Sequence, residues 1–205
     1  MKQFGTGWER RFAAVGVGAL MGTLCTTMAF AHDQGGPTGG FVSGLLHPVS
    51  GLDHVLAMVA VGLWGAQLGS PALVLLPVVF PLIMAVGGFS GLIGFPLPAV
   101  EVGIASSAVV LGAVVAHEAR PPLAVAIGIV ALFAVFHGHA HGTELGEGDS
   151  ALLYSIGFVL ATGLLHACGI GLGLVHRWSF GKTAVRMAGA FVLVGGLFFL
   201  WSHAG

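Results

Sequence analysis

Long apolar runs broken by short polar or proline-rich stretches predict a bundle of membrane-spanning helices. After a Gly/Pro-rich stretch from Gly35 to Gly40, the apolar runs fall near residues 41–67, 72–94, 98–117, 123–140, 151–176 and 187–203. Most approach the roughly 20 residues that a bilayer core requires. The breaks carry turn signals: Ser70-Pro71, Phe95-Pro96-Leu97-Pro98, Arg120-Pro121-Pro122, an acidic loop from Glu144 to Asp149 and a basic loop from Arg177 to Arg186. The expected fold is an all-α membrane protein with six transmembrane helices.

The first 31 residues follow another pattern. Lys2, Arg10 and Arg11 precede an apolar stretch from Phe12 to Met28, and Ala29-Phe30-Ala31 ends it with a small-x-small cleavage site. The expected organisation is a cleaved signal peptide over 1–31 and a six-helix transmembrane domain over 32–205, with His32 near the mature N-terminus. An uncleaved first helix is the alternative.

Composition supports the membrane reading. Of 205 residues, 56% are hydrophobic and 7% charged, and the mean hydropathy is +0.98. Soluble domains carry about 25% charged residues. The 35 glycines suit helices that approach closely in lipid. A net charge of −1 points to no nucleic-acid partner. Cys25 and Cys168 are too few for a disulfide framework or a thiolate cage.

Charge placement predicts orientation. Arg120 separates the third and fourth runs, and Arg177, Lys182 and Arg186 separate the fifth and sixth. The acidic Glu144, Glu147 and Asp149 lie between the fourth and fifth. The positive-inside rule then puts the basic loops in the cytoplasm and both mature termini in the periplasm of an inner-membrane, multi-pass protein.

Against this apolar ground, ten histidines outnumber the seven Lys and Arg. His47, Asp53 and His54 lie within eight residues of the first run. Ionisable groups at membrane depth are expensive and survive where they face a bundle interior and hold something. On one smooth helix His47 and His54 nearly eclipse, with Met58 one turn further, while Asp53 points about 120° away. Pro48 and Gly51 offer a break that would re-aim them. A second cluster, His137-Gly138-His139-Ala140-His141-Gly142-Thr143-Glu144, ends the fourth run. His137, His141 and Glu144 share a helix face, and His139 does not.

Glu101 opens the third run on the same outer side, and His166 lies deeper in the fifth. Ser106 and Ser107 read as packing residues or as donors to a neighbouring ligand. Imidazole and carboxylate with little sulfur favour a borderline divalent cation such as Ni²⁺, Co²⁺, Zn²⁺ or Cu²⁺. The expected core site is His47, Asp53 and His54, completed or gated by Glu101 and His137. His139, His141, Glu144 and His32 would collect metal at the mouth, and Met58 and His166 would line the way inward.

The segment His47-Pro48-x-x-Gly51-x-Asp53-His54-x-x-x-Met58-x-x-Val61-Gly62 resembles the signature of the HupE/UreJ family of nickel/cobalt permeases. The resemblance extends to Glu101, to Phe136 through Glu144, and to Gly157-Phe158-x-x-Ala161-Thr162-x-x-Leu165-His166. It implies a secondary transporter, not an enzyme, that takes up Ni²⁺ or Co²⁺ as cargo and holds no permanent cofactor. The implied partners are the divalent ion, the bilayer, and a periplasmic metal donor or a hydrogenase or urease maturation system.

Three other readings compete. Gly88-Phe89-Ser90-Gly91 matches a rhomboid-like intramembrane serine protease, with Ser90 as nucleophile and His166 as base. That reading leaves the other histidines unemployed. A bis-histidine haem protein is awkward beside Asp53 and Glu101. A membrane metal-binding accessory protein without transport uses the same ligands.

Overall fold

The computed structural model describes residues 39–145 and 150–204. The predicted leader and His32 lie outside the described residues, as do Glu147 and Asp149. Among the described residues the regular structure is helical: α1 (Gly39–Ser50), α2 (Leu52–Leu68), α3 (Ala72–Leu92), α4 (Val100–Ala116), α5 (Leu123–Thr143), α6 (Ala151–Gly173) and α7 (Ser179–Ala204). A short 3₁₀ turn, Leu174–Arg177, joins α6 to α7.

Helices α3, α5, α6 and α7 are each long and apolar enough to cross a membrane, and α1 with α2 makes a fifth span bent by 81°. The apolar α4, at 17 residues, is shorter. At 1.5 Å per residue it reaches about 26 Å, a little less than the hydrocarbon thickness of a typical bilayer.

The first apolar run is therefore two helices. The chain breaks at Gly51 and not at Pro48, which stays inside α1. Gly51 has φ −99° and ψ 114°, extended values open to any residue. Its need for glycine is steric, because a Cβ there would lie 2.9 Å from Asp53 Oδ1 and 3.0 Å from His54 Nδ1. The broken ends find local partners, as polar backbone at membrane depth must. Ser50 Oγ donates to the His47 carbonyl at 2.6 Å, and the His54 backbone N–H donates to Asp53 Oδ1 at 2.9 Å.

Helix α2 is the central element, packed against α6, α4, α3 and α7. Ala57, Met58, Ala60, Val61 and Trp64 on it are fully buried. The other principal pairs are α3 with α5, α4 with α7, and α1 with α6. Glycine makes these approaches close. A Cβ on Gly138 would collide with the Met84 carbonyl, and one on Gly142 with the Gly88 carbonyl. Large apolar residues such as Val74, Leu82, Phe89, Leu164 and Phe198 face outward, as lipid-facing surfaces do.

The predicted basic loop needs correcting. Lys182 and Arg186 lie on α7, which begins at Ser179, and Arg177 closes the 3₁₀ turn. Lys182 and Arg186 therefore ride on the first turns of a continuous helix. Arg186 Nε donates to the Ala116 carbonyl at 3.0 Å, which puts the start of α7 beside the end of α4. The described lysine and arginines gather at one end of these helices, where Glu118 also lies. Arg120, Arg177, Lys182 and Arg186 share one end of the bundle, and Glu101 and His203 meet at the other, 3.9 Å apart.

Candidate metal-binding cluster

The bend at Gly51 lets two sequence-distant segments meet. His47, on α1, hydrogen-bonds through Nε2 to Glu144 Oε2 at 2.9 Å across 97 residues of chain. His141 Nδ1 lies 3.8 Å from the same oxygen. His47, His141 and Glu144 offer ligand atoms that all lie within 4.8 Å of one another. The hydrogen bond from His47 holds the Glu144 carboxyl below its ordinary range. A depressed carboxyl pKa means the contact stabilises above the ordinary value of 4.5 and is lost only as pH falls through the lowered one.

Inside this triad the imidazoles pack ring against ring. Centroids lie 4.8 Å apart for His47 and His141, 4.6 Å for His54 and His141, and 4.7 Å for His54 and His137. His137 and His141 reach the stack because α5 stays helical to Thr143, one turn separating them on a single face. His141 is 6% exposed and lies on the buried side of the triad.

Hydrogen bonds fix which nitrogen of His54 and of His137 carries the proton. Asp53 Oδ1 accepts from His54 Nδ1 at 3.0 Å, leaving the lone pair on Nε2, a buried atom with no hydrogen-bond partner. Ser107 Oγ donates to the Ile104 carbonyl at 2.6 Å and so accepts from His137 Nε2 at 2.9 Å. His137 Nδ1 is then a buried lone pair without a partner, and both nitrogens of His141 are unpartnered as well. Buried polar atoms are rarely left so. Neutral imidazoles whose other nitrogen is tied to a carboxylate or hydroxyl are the usual form of metal-ligating histidine.

The expected core trio does not form one ligand set. The bend gives His47 to the Glu144 triad, while Asp53 joins Glu101 and His203 in a second group whose ligand atoms also lie within 4.8 Å of one another. His54 stands between the two. Met58 is fully buried within the apolar core one turn below His54. His139 faces α3, where its Nδ1 meets Ser90 Oγ at 3.1 Å. His166, 1% exposed, approaches the carbonyl of Pro77, which Pro81 cannot engage because proline lacks an N–H.

Phe80 and Tyr154 escaped the sequence reading, whereas Phe158 stood in one of its motifs. Phe80 lies between His137 and His166, 5.4 and 5.3 Å from their ring centroids. Tyr154 and Phe158 wall the outer triad from α6, with ring centroids 5.7 Å from His47 and 4.2 Å from His141 respectively. A half-open cleft of about 320 Å³ between α3, α5 and α6 reaches His141 past apolar residues. Tyr154 is the chain's single tyrosine, a signal that was available. His203 gave none beyond being a histidine near the end of an apolar run.

Buried imidazoles and carboxylates gathered at one end of an apolar bundle match what the first motif led one to expect, and the comparison with known proteins agrees. The family model described as HupE / UreJ protein matches residues 19–199. The chain belongs to the HupE / UreJ family. It is 44% identical over 170 residues to Protein HupE of Rhizobium leguminosarum bv. viciae, covering 83% of this chain and 88% of that protein. No solved structure matches it.

The HupE / UreJ assignment leaves the protease reading without support. Ser90 Oγ donates to the Gly87 carbonyl at 2.6 Å, and the imidazole beside it is His139, not His166. With the hydroxyl proton committed, His139 acts as donor to Ser90, the reverse of what a general base does.

Proposed function

We propose that this chain is a permease for Ni²⁺ or Co²⁺ in the bacterial inner membrane. The observation that carries the reading is the cluster of His47, His54, His137 and His141 with Glu144, which runs from the exposed carboxylate to the buried His137 and His141. His54 Nε2, His137 Nδ1 and both His141 nitrogens are buried without a hydrogen-bond partner, and Asp53 and Ser107 orient the first two rings. Imidazole-rich sets with one carboxylate suit borderline divalent ions. Membership of the HupE / UreJ family supports the same cargo.

In this reading α4 serves as the sixth span despite its length, and the basic end of the bundle faces the cytoplasm. The imidazole cluster and the chain termini then face the periplasm, following a cleaved leader. Ions pass among the clustered imidazoles beside Glu144 and continue past Phe80 toward His166. A periplasmic metal donor or a hydrogenase or urease maturation system would meet the chain at either side.

Accumulation of radioactive nickel and cobalt in cells expressing the chain tests this directly. Wild type and Ser90→Ala should accumulate metal equally, and His141→Ala should accumulate none above background. Uptake lost in Ser90→Ala and kept in His141→Ala would reverse the assignment in favour of a protease. A wild type that binds metal in detergent without accumulating it in cells would make the chain an accessory binding protein. Ser107→Ala should leave expression intact yet weaken metal binding by about 10–100-fold, because His137 would lose the hydroxyl that sets its tautomer.

A further inference from the structure

We propose a second divalent-cation site at the outer end of the bundle, formed by Asp53, Glu101 and His203. It rests on the permease reading and adds to it a residue, His203, that no motif marks. The three side chains come from α2, the first turn of α4 and the last turn of α7. One ligand atom from each lies within 4.8 Å of the other two. The meeting follows from the antiparallel pairing of α4 and α7. Gly112, Gly189 and Gly196 allow close backbone contact, and Arg186 ties the opposite end to Ala116. Fixing one end of such a pair fixes which residues meet at the other.

The charge of this group calls for a cation. Two carboxylates this close repel each other when both are ionised. The described lysine and arginines, Arg120, Arg177, Lys182 and Arg186, all sit at the far end of the bundle, leaving only the His54 ring beside Asp53 and His203 beside Glu101 to face them. Glu101 and His203 are open to water, with side chains 54% and 32% exposed, whereas Asp53 is 9% exposed. The group therefore runs from solvent to the buried carboxylate.

Its chemistry differs from that of the imidazole stack. Two carboxylates and one imidazole make a harder set, suited to an ion that still carries water. Asp53 belongs to both regions, since its Oδ1 also holds the His54 ring. An ion captured by Glu101 and His203 arrives beside the first of the buried imidazoles. This gives the site a role of capture and partial dehydration ahead of the tighter cluster.

The full chain purified in detergent, titrated with Ni²⁺ by equilibrium dialysis and with Co²⁺ by its visible absorption, provides the test. Wild type should show two classes of site. His203→Ala and Glu101→Gln should each remove the weaker class and keep the tighter one, and His141→Ala should do the opposite. His203 is exposed on the last turn of α7, so its loss leaves the packing intact. In cells, His203→Ala should raise the metal concentration giving half-maximal uptake and leave the maximal rate unchanged. A single class in wild type, or a His203→Ala titration that overlays wild type, would overturn the second site and leave the imidazole cluster standing. A wild type that binds neither metal would overturn the permease reading and this site with it.

Discussion

His54→Ala is expected to reduce nickel and cobalt accumulation to background while the protein still reaches the membrane in normal amount. His54 is the one ring that touches both parts of the outer stack, with centroids 4.6 Å from His141 and 4.7 Å from His137. It also connects that stack to Asp53 through a 3.0 Å hydrogen bond. Removing it separates the outer triad from His137 and leaves Asp53 Oδ1 with only the backbone N–H. Asp53→Asn should be milder in kind and still severe, about 10–100-fold weaker metal binding, since the group that orients His54 would lose its charge. Accumulation assays on cells matched for expression measure the first, and titration of purified protein the second. Transport at the wild-type rate by His54→Ala would remove the stack from the pathway.

Gly138→Val should cost the protein its fold or most of its stability. Even a Cβ at this position would collide with the Met84 carbonyl, and Gly142 one turn on faces the same constraint from Gly88. Overpacking of a tight interface typically costs about 1–3 kcal/mol and sometimes more. Here the obstacle is backbone, which no rotamer change relieves. Yield in detergent and the thermal midpoint should both fall sharply. Gly128→Ala on the same helix is the control, because nothing lies within 4 Å of a Cβ there. Alanine at an open helical position is favoured over glycine by up to about 1 kcal/mol, so that variant should be neutral or slightly stabilised. Equal behaviour of the two variants would mean that α3 and α5 do not pack as described.

How much of this was legible in the sequence differs by level. The apolar runs located α3, α5 and α6 to within a few residues, because lipid leaves little choice but a helix where polar backbone has no water. The start of α7 was missed by eight residues, 187 against 179, since charges on a helix emerging from lipid look like a loop. The break in the first run was foreseen from Pro48 and Gly51, and the contact of Gly51 with the Asp53–His54 pair shows why it falls at the glycine. His47, Asp53, His54, His137 and His141 were recognisable because ionisable groups stand out among apolar ones. Their grouping was not. Local periodicity says nothing of which residue 97 positions away will answer His47, and it set His47 and Asp53 in one site where the bend divides them. Phe80 was hidden, and the role of Ser107 was left open between packing and a bond to a ligand, for the opposite reason. An aromatic or a hydroxyl in an apolar helix looks the same whether it packs against leucine or against imidazole.

The glycine contacts between α3 and α5 have a bearing on how the imidazoles are spaced. His137 and His141 ride on α5, which is keyed to α3 by Gly138 and Gly142, while Asp53 and His54 ride on α2. A slide of the α3–α5 pair by a single residue, about 1.5 Å, therefore displaces two imidazoles together against a fixed third. The spacing between these imidazoles is then a property of helix registry, set by backbone contacts far more rigid than any side-chain rotamer.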